Sequence, residues 1–413
     1  MSLLRLFDYV KELKDIFNRE TVVEPFNLFE AKNIDDLNPT IFDSILENGA
    51  TLTLDTNIAG ALMNVTNASG SRNVRQKHGY IPYQPGNELR FKFTVTPLNV
   101  DDPNYRVRFG AFDDVNDKTV VGSEQHGNGP FWVYNNTVGA GWELGLRSYI
   151  TGAQVDKIIP RIDWSEDPLD GTGNSGIDID DPTQGQIFFI EYAWLGRAPV
   201  RYGVFDNEKG KVYCHIEKHN GVKSVYMSRG SLPVRFECEN LGGGAIANYM
   251  VQECVSVDSM GGNKPTGIPF HVDDEDNTVS VGGALEPVIS IRLKQLFERR
   301  TIELTNISVL STSNGNMRWI VILNGTLNNP VWNDASNVAS GIEFDVNSTT
   351  VTGGRIIAGG NFANNRDGVS LPLDIEEFIS SDIAGNVDVA TVAMQSFGGA
   401  EDVSAAISGF TEK

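Results

Sequence analysis

The chain has 413 residues, and 33 lysines and arginines against 54 aspartates and glutamates give it a net charge of −21 at pH 7. A field of this sign repels phosphate backbones and excludes nucleic acid as an expected partner. The 3 cysteines cannot build a disulfide framework, and the chain has neither an uninterrupted apolar leader nor a run of about 18 apolar residues. We therefore expect a protein made in a cytoplasm, without membrane insertion and long enough for two or three domains.

Residues 1–20 are predicted to hold a short amphipathic helix that acts as an anchor. Ser2 can cap a helix from about residue 3 to 18, and apolar residues then recur at alternating spacings of three and four. This N-terminal stripe consists of Leu3, Leu6, Val10, Leu13 and Phe17. It is too short to be stable alone, so either its own domain or a neighbouring chain must cover it. Because residues 21–50 are predicted to form a connecting arm, with a short helix near residues 39–46, we favour a neighbouring chain.

Residues 51–257 are predicted to form a β-sandwich. After a turn at Pro85 and Gly86, the residues Phe91, Phe93 and Val95 alternate with polar residues, which is typical of a half-buried strand. The predicted strands are Thr51–Leu54, Leu89–Thr96, Arg106–Phe112, Phe131–Tyr134, Trp142–Arg147, Ile187–Trp194, Val200–Phe205, Val212–Ile216, Val234–Glu239 and Met250–Val257. Many short, evenly spaced strands favour an antiparallel jelly-roll or concanavalin-like sandwich over an α/β fold.

The C-terminal third is predicted to carry a second, smaller sandwich. Residues 258–283 contain two Gly-Gly pairs and several turn residues, so we predict a linker there. Alternation around Ile291, Leu304, Trp319 and Phe344 predicts strands within residues 284–390. Residues 391–413 are rich in Gly, Ala and Ser and are predicted to be a flexible or partner-ordered tail. The predicted fold class is therefore mainly β, with two antiparallel sandwiches and an N-terminal helix.

Three short segments carry a resemblance to a known family. They are Tyr83-Gln-Pro-Gly86, Trp194-Leu-Gly196 and Leu232-Pro-Val-Arg235. Together they resemble uncharacterised virion structural proteins of tailed bacteriophages that contain a lectin-like β-sandwich, and the resemblance extends over residues 65–260. It implies a component of a virion, such as a tail fibre, a baseplate or tail-tip part, or a capsid decoration protein, with other virion proteins as partners. A homo-oligomer is expected as well, with a trimer favoured, because short heptad helices and sheet edges gain from shared buried surface.

No segment supplies a complete catalytic set. The run Gly171-Thr-Gly-Asn-Ser-Gly176 matches a dinucleotide fingerprint but lacks the strand and helix that the fingerprint requires. The run from Glu343 to Ser348 approaches a glycosidase pattern but lacks its third acid. His215 and His219 would lie about 13 Å apart on an extended strand, too far to share one metal ion. We therefore expect no enzyme and no cofactor.

Two weaker kinds of site remain as candidates. Asp170, Asp178, Asp180 and Asp181 place several hard oxygen ligands in one loop and are candidates for calcium, although solvated acidic loops are the commoner case. Trp164, Trp142 and Glu143 are candidates for stacking and hydrogen bonding to a glycan. The leading hypothesis is a structural virion protein. The alternatives are an adhesin that binds a host-surface glycan and, more weakly, an enzyme that degrades polysaccharide.

Overall fold

The computed structural model describes residues 25–412 except 125–126, 137–140, 222, 245, 263–266, 275–278, 312–314, 336–340, 363–367 and 373–378. The predicted N-terminal helix and its stripe lie outside the described residues. The chain divides into two compact units, with boundaries after residues 117, 124 and 263. Unit 1 comprises residues 1–117 and 125–263, and unit 2 comprises residues 118–124 and 264–413.

Unit 1 is built from fifteen of the described strands. They are β1 (Phe26–Lys32), β2 (Phe42–Glu47), β3 (Thr51–Asp55), β4 (Gly60–Val65), β5 (Arg72–Lys77), β6 (Leu89–Thr96), β7 (Tyr105–Ala111), β8 (Gly129–Asn135), β9 (Gly141–Ser148), β10 (Val155–Pro160), β11 (Gln186–Tyr192), β12 (Val200–Asp206), β13 (Gly210–Glu217), β14 (Val234–Asn240) and β15 (Asn248–Ser259). Two short 3-10 helices, Val115–Asp117 and Arg161–Asp163, lie between them.

These strands form two antiparallel sheets that enclose one core. Sheet 1 has the order β13-β12-β11-β6-β15-β4-β3, with β1 also paired to β15, and sheet 2 has the order β10-β9-β8-β7-β14-β5-β2. The predicted alternation in β6 is confirmed: Phe91 and Phe93 are fully buried, and the Phe93 ring lies 5.8 Å from the rings of Phe109 and Phe236 in sheet 2. Trp132 of sheet 2 donates a hydrogen bond across the core to the Phe189 carbonyl of sheet 1. The two sheets therefore pack face to face as a sandwich.

Unit 2 repeats this architecture on a smaller scale. Its strands are β16 (Ile268–Asp273), β17 (Val279–Val281), β18 (Glu286–Leu293), β19 (Ile302–Ser311), β20 (Met317–Leu323), β21 (Thr326–Leu327), β22 (Asn333–Asp334), β23 (Ile342–Asp345), β24 (Val351–Thr352), β25 (Arg355–Phe362), β26 (Gly368–Pro372), β27 (Val389–Ser396) and β28 (Glu401–Thr411). Sheet 3 has the order β16-β28-β19-β26 with β17 beside β28, and sheet 4 has the order β22-β23-β18-β27-β20-β25. A 3-10 helix, Gln295–Phe297, follows β18. Ile291 and Trp319 of sheet 4 share a core with Ile307 and Ile407 of sheet 3.

Unit 2 also contains residues 118–124, which come from the connection between β7 and β8. Lys118 Nζ lies 3.1 Å from Glu298 Oε2, and the two side chains are 1% and 0% exposed. Ser381 donates a second hydrogen bond, of 2.7 Å, to the same carboxylate oxygen. A buried carboxylate of unit 2 is therefore neutralised by a lysine that is distant in sequence.

The mainly β, antiparallel architecture is confirmed, but the structure differs from three predicted connections. Residues 21–50 were predicted to be an arm, yet β1 pairs with β15 and β2 pairs with β5, so both belong to the first sandwich. The predicted linker contains β16 and β17, which pair with β28. The predicted tail contains β28 itself, a central strand of sheet 3. In each case backbone pairing supplies the stability that local composition does not indicate. The described part of the chain contains no helix with the length and hydropathy of a membrane span.

Candidate functional site: the open face of sheet 1

Sheet 1 turns one face to the core of the sandwich and the other away from it. Along β6, Arg90, Lys92 and Thr94 alternate with core residues, so their side chains lie on the outer face. The register pairs Glu191 of β11 with Arg90 of β6 and also with Arg201 of β12. Charged residues from adjacent strands thus lie side by side on this surface, which we call the open face.

Glu191 is the centre of an ionic cluster on the open face. Its carboxylate oxygens lie 2.6 Å from Arg90 Nε, 2.9 Å from Lys211 Nζ and 3.1 Å from Arg201 Nε. The Tyr213 hydroxyl donates a further hydrogen bond of 3.0 Å. Three cations and a phenol therefore enclose one carboxylate, whose side chain has no exposed surface.

A second carboxylate, that of Glu88, completes the cluster. Its oxygens lie 2.5 Å from an Arg201 nitrogen and 3.4 Å from an Arg90 nitrogen, and its side chain is also fully buried. The two guanidinium groups thus bridge Glu88 and Glu191. We call Glu88, Arg90, Glu191, Arg201, Lys211 and Tyr213 the open-face cluster. With three cations and two carboxylates it carries one net positive charge when all five groups are ionised.

The environments of the two carboxylates move their pKa values in opposite directions. Burial alone would raise the pKa of Glu191, but attraction to Lys211, Arg201 and Arg90 lowers this pKa to about 2. Burial and repulsion by Glu191 raise the pKa of Glu88 against the pull of the same arginines. Such a split can mark an acid–base pair. Here, however, both carboxylates are enclosed by protein groups, so neither presents an oxygen to a substrate.

The cluster is continuous with an aromatic patch on the same face. The Phe189 ring lies 5.1 Å from the Phe205 ring and 5.4 Å from the Tyr213 ring. Phe189 occupies the space above Gly203, where an added Cβ would lie 2.4 Å from the ring. A side chain at position 203 would therefore displace both Phe189 and the Val212 carbonyl of β13, which would lie 2.1 Å from the added Cβ. Tyr213 thus contacts this aromatic patch with its ring and Glu191 with its hydroxyl.

A groove of about 650 Å³ lies beside the cluster on the open face. Lys92 and Thr94 of β6 and Ile187 of β11 line it. They lie next to the cluster residues Arg90 and Glu191 on the same two strands. The remaining lining comes from residues 30–32 of β1, residues 254–256 of β15, and Ile34, Asp35, Asp36, Asn38 and Ile41 of the loop after β1. The described lining of the groove combines apolar and charged residues and includes no aromatic side chain.

Arg75 anchors the loop that forms one wall of the groove. Its guanidinium donates to Asn33 Oδ1 at 3.1 Å, to Gln252 Oε1 at 2.5 Å and to the Leu37 carbonyl. The Phe42 ring centroid lies 4.2 Å from the guanidinium carbon. Burial lowers the pKa of this arginine to about 10. Because the side chain is fully buried, the loop is held by a fixed internal anchor.

Glu253 occupies an irregularity of β15 near the groove. The register with β6 shifts between Gln252 and Val255, and Thr96 donates a 3.1 Å hydrogen bond to one oxygen of the Glu253 carboxyl. The other oxygen is buried and has no hydrogen-bond partner among the residues that the structure describes. Burial raises the pKa of Glu253 to about 7, although the Thr96 bond opposes the rise. This carboxyl therefore resists ionisation in the folded protein.

The raised pKa of Glu253 predicts a pH-dependent gain from the Glu253→Gln variant. The folded pKa lies above the unfolded value, so the group's contribution to stability is fully present below about pH 4.5 and is lost as the pH rises through 7. Glutamine resembles the protonated acid, so the variant should match the wild type at pH 4.5 and exceed its free energy of unfolding at pH 8 by about 1–3 kcal/mol. Urea unfolding at both pH values measures this. Glu208→Gln, in an exposed turn, is the control, and an equal gain for both variants at pH 8 would contradict the prediction.

The predicted glycan residues do not form a surface site. Trp142 is buried in the core, where its Nε1 donates to the Ile179 carbonyl at 2.6 Å. Trp164 was expected to be exposed, but it is 9% exposed and its ring packs edge-on against Trp132. Glu143 is on the outward face of sheet 2, opposite to Trp142, and burial raises its pKa despite the nearby Arg106. Alternation along β9 separates the acid from the ring, because successive side chains point to opposite faces.

The predicted calcium residues each serve a local turn or ion pair. The carboxylate of Asp170 accepts from the backbone and hydroxyl of Thr172, and that of Asp181 accepts equivalently from Thr183. Asp178 accepts from the backbone N–H of Asp180, and the Asp180 carboxylate pairs with Arg161. In the part of the chain that the structure describes, no three His, Cys, Asp or Glu side chains are placed to hold one metal ion.

The two histidines lie at the end of β13 and have one carboxylate as a common neighbour. Because β13 ends at Glu217, both histidines approach the Glu217 carboxylate: the His215 Nε2 lies 3.4 Å and the His219 Nε2 4.0 Å from its oxygens. Burial opposes ionisation of Glu217, but the hydrogen bond from His215 and the charge of Lys157 lower its pKa to about 2. The group is therefore a strand end in which one carboxylate is paired with Lys157 and faces both histidines.

Sheet 2 carries a second ionic network on its outward face. One Glu237 oxygen lies 2.8 Å from both Arg72 Nε and Arg108 Nη2, and the other lies 3.3 Å from Arg235 Nη2. Arg235 also reaches Asp117 at 2.6 Å. Burial would raise the pKa of Glu237, but the three arginines hold this pKa well below its usual range. On the outward faces of sheets 1 and 2, buried carboxylates are thus neutralised by cationic side chains of neighbouring strands.

Sequence reasoning did not find the open-face cluster. Two of its members, Glu88 and Arg90, lie about a hundred positions before the other four, which are on β11, β12 and β13. Each is separately typical of a solvated position. The available signal was the repeated placement of charge between buried residues in β6, β11 and β12. Only the register of the strands brings these positions together.

Comparison with known proteins gives distant structural likenesses. No family model matches the sequence, and no curated protein matches it. Similar solved structures include the carbohydrate recognition domain of Emp47p, with 10% identity, a TM-score of 0.36, and coverage of 57% of this chain and 96% of that one. Peanut lectin with a nine-residue peptide gives 11% identity, a TM-score of 0.37, and 57% and 98% coverage. Endo-1,3-beta-glucanase from Streptomyces sioyaensis gives 13% identity, a TM-score of 0.36, and 57% and 96% coverage. At these values the likenesses assign neither a ligand nor a reaction to this chain.

Proposed function

We propose that the protein is a non-enzymatic structural component of a tailed-phage virion and acts through protein–protein assembly. One observation supports the non-enzymatic part: Glu88 and Glu191, the two carboxylates whose pKa values are driven apart, are fully enclosed by Arg90, Arg201 and Lys211. A general acid or nucleophile must come within hydrogen-bond reach of a substrate. These carboxylates instead neutralise cations of β6, β12 and β13.

The assignment to a virion is supported by the resemblance of the three segments around Tyr83, Trp194 and Leu232. In the structure these segments lie together in unit 1. Tyr83 and Trp194 are in edge contact, with ring centroids 6.1 Å apart, and Leu232 forms an isolated backbone bridge with Ile81. The quoted segments are therefore parts of one packed region and serve the fold of unit 1. A tail fibre, a baseplate or tail-tip part, and a capsid decoration protein all agree with this proposal.

The proposal predicts that the chain is present in purified particles. Particles of the phage that encodes it, banded twice in a density gradient, should contain the chain in a fixed molar ratio to the major capsid protein, as measured by quantitative mass spectrometry. A phage replication protein from the same lysate is the control and should be removed by the gradient. If the chain is removed together with that control, the virion assignment is wrong.

The two alternatives make different predictions for the purified chain. Host-glycan binding predicts specific signals on a glycan array, whereas polysaccharide degradation predicts release of reducing sugars from host capsule. We expect neither result, because the predicted aromatic residues Trp142 and Trp164 are buried in the sandwich core. Sugar release by the wild type that is lost in Glu191→Gln, with folding retained, would contradict the non-enzymatic assignment.

A further inference from the structure

The groove on the open face presents apolar side chains within a charged border. Ile34 and Ile187 in its lining are 43% and 38% exposed, whereas Val255 is buried beneath them. Charges of both signs surround these residues, from Glu30, Lys32, Asp35, Asp36 and Lys92. This combination fits an amphipathic segment with an apolar stripe and mixed charges beside it.

The chain carries such a segment N-terminal to β1, the strand that forms part of the groove. The N-terminal stripe predicted from the sequence is flanked by charges of both signs, among them Asp8, Lys11, Glu12 and Lys14. Its five apolar residues are too few for a helix that is stable alone, so they need a covering surface. The stripe and the groove thus both combine apolar residues with charges of both signs.

The position of β1 gives the stripe a short path to the groove. Because β1 belongs to sheet 1, no arm of thirty residues separates the N-terminus from the sandwich. Phe17 precedes Phe26 by nine residues, which can span about 30 Å when extended. Glu30, at the groove, lies about 13 Å along the strand from Phe26. The stripe can thus reach the groove of its own chain.

We propose that the groove on the open face is the docking site of the chain's own N-terminal stripe, Leu3, Leu6, Val10, Leu13 and Phe17. A short tether gives the stripe an effective concentration in about the millimolar range at this site, which favours its own chain over a second copy at ordinary protein concentrations. A neighbouring chain is favoured only if residues 21–50 form an arm that separates the stripe from the sandwich. The pairing of β1 with β15 shows that part of this segment is a strand of the sandwich itself.

Cys254 provides a natural reporter for this docking. It lines the groove and is exposed, whereas Cys214 and Cys238 are buried in the core. A thiol reagent added to the folded protein therefore reads the groove alone. Docking should protect Cys254, so the full-length double variant L6D/L13D should be labelled at least about tenfold faster than the wild type.

A control separates docking from general charge effects. The double variant D8N/D15N alters the opposite side of the same predicted helix and should leave the labelling rate of Cys254 unchanged. Melting temperatures of all three proteins establish that each is folded at the labelling temperature. Equal labelling of the wild type and L6D/L13D would overturn the proposal.

Cross-linking tests both the contact and the identity of the occupant. In the full chain, Val10→Cys should be joined to Cys254 by a short bis-maleimide, and the product should migrate as a monomer of 45.2 kDa. Asp8→Cys, on the polar side, should give at least tenfold less product. A product of twice the mass would assign the groove to a second copy and overturn the proposal, as would the absence of a Val10→Cys cross-link.

Discussion

The Glu191→Gln variant is expected to lower the free energy of unfolding of the protein at pH 7 by about 3–5 kcal/mol. The substitution preserves shape but removes the charge that neutralises Arg90, Arg201 and Lys211, of which Lys211 is 9% exposed. Among the described residues of the cluster, Glu88 would then be the remaining carboxylate in contact with the two arginines. Glutamine can accept from some of these donors, but it cannot offset their charge in a region of low dielectric constant.

Guanidinium unfolding followed by tryptophan fluorescence measures this effect. Glu343→Gln is a suitable control, because it breaks a contact of 2.9 Å with Arg292 in which the two side chains are 22% and 31% exposed. Such a partly solvated pair contributes about 0–1 kcal/mol. Similar losses for the two variants would show that the open-face cluster does not hold the strands of sheet 1 together.

The Glu237→Gln variant is expected to cause a loss of similar size, about 3–5 kcal/mol at pH 7, and a loss that depends on pH. The carboxylate of Glu237 neutralises Arg72, Arg108 and Arg235, and its folded pKa lies well below the unfolded value. A depressed carboxyl pKa gives stability that is present above the unfolded value, about 4.5, and is lost as the pH falls toward the folded value. The difference between wild type and variant should therefore shrink at pH 3.

Urea unfolding at pH 7, 5 and 3 tests this dependence. Glu47→Gln is the matched control, since Glu47 contacts the same Arg72 at 3.4 Å but is 49% exposed. The control should change the free energy of unfolding by less than about 1 kcal/mol at every pH. A constant difference between wild type and Glu237→Gln from pH 7 to 3 would refute the ionic origin of the effect.

The sequence predicted those parts of the fold in which each strand carries its own pattern. β6 is the clearest case, because four core residues alternate with polar ones from Leu89 to Thr96. The segment of β28 alternates too, but with small residues such as Ala405 and Gly409, whose β propensity is low. β28 is stable because β16, β17 and β19 pair with it, and no local pattern encodes those partners.

The candidate site could be predicted only where one segment determined the outcome. Burial of Cys214 and Cys238 follows from their positions between apolar neighbours, and both are buried in the structure. Trp164 lies in an acidic loop, which predicts exposure, but its ring packs edge-on against the Trp132 ring. Glu88 and Glu191 required knowledge of register across more than 100 positions of sequence, which periodicity does not contain.

The seven residues that unit 1's β7–β8 connection contributes to unit 2 constrain how this gene can recombine. A crossover at position 264 would appear to exchange a complete C-terminal module. The incoming module would contain Glu298 without the lysine that neutralises it, because Lys118 is encoded far upstream. Glu298 would then keep Arg299, whose Nε lies 3.5 Å from it, as a cationic neighbour, and a chimera preserves the Lys118 pair when it carries residues 118–124 from the same parent as its C-terminal module. Homologous exchange should consequently retain the two stretches as a linked pair.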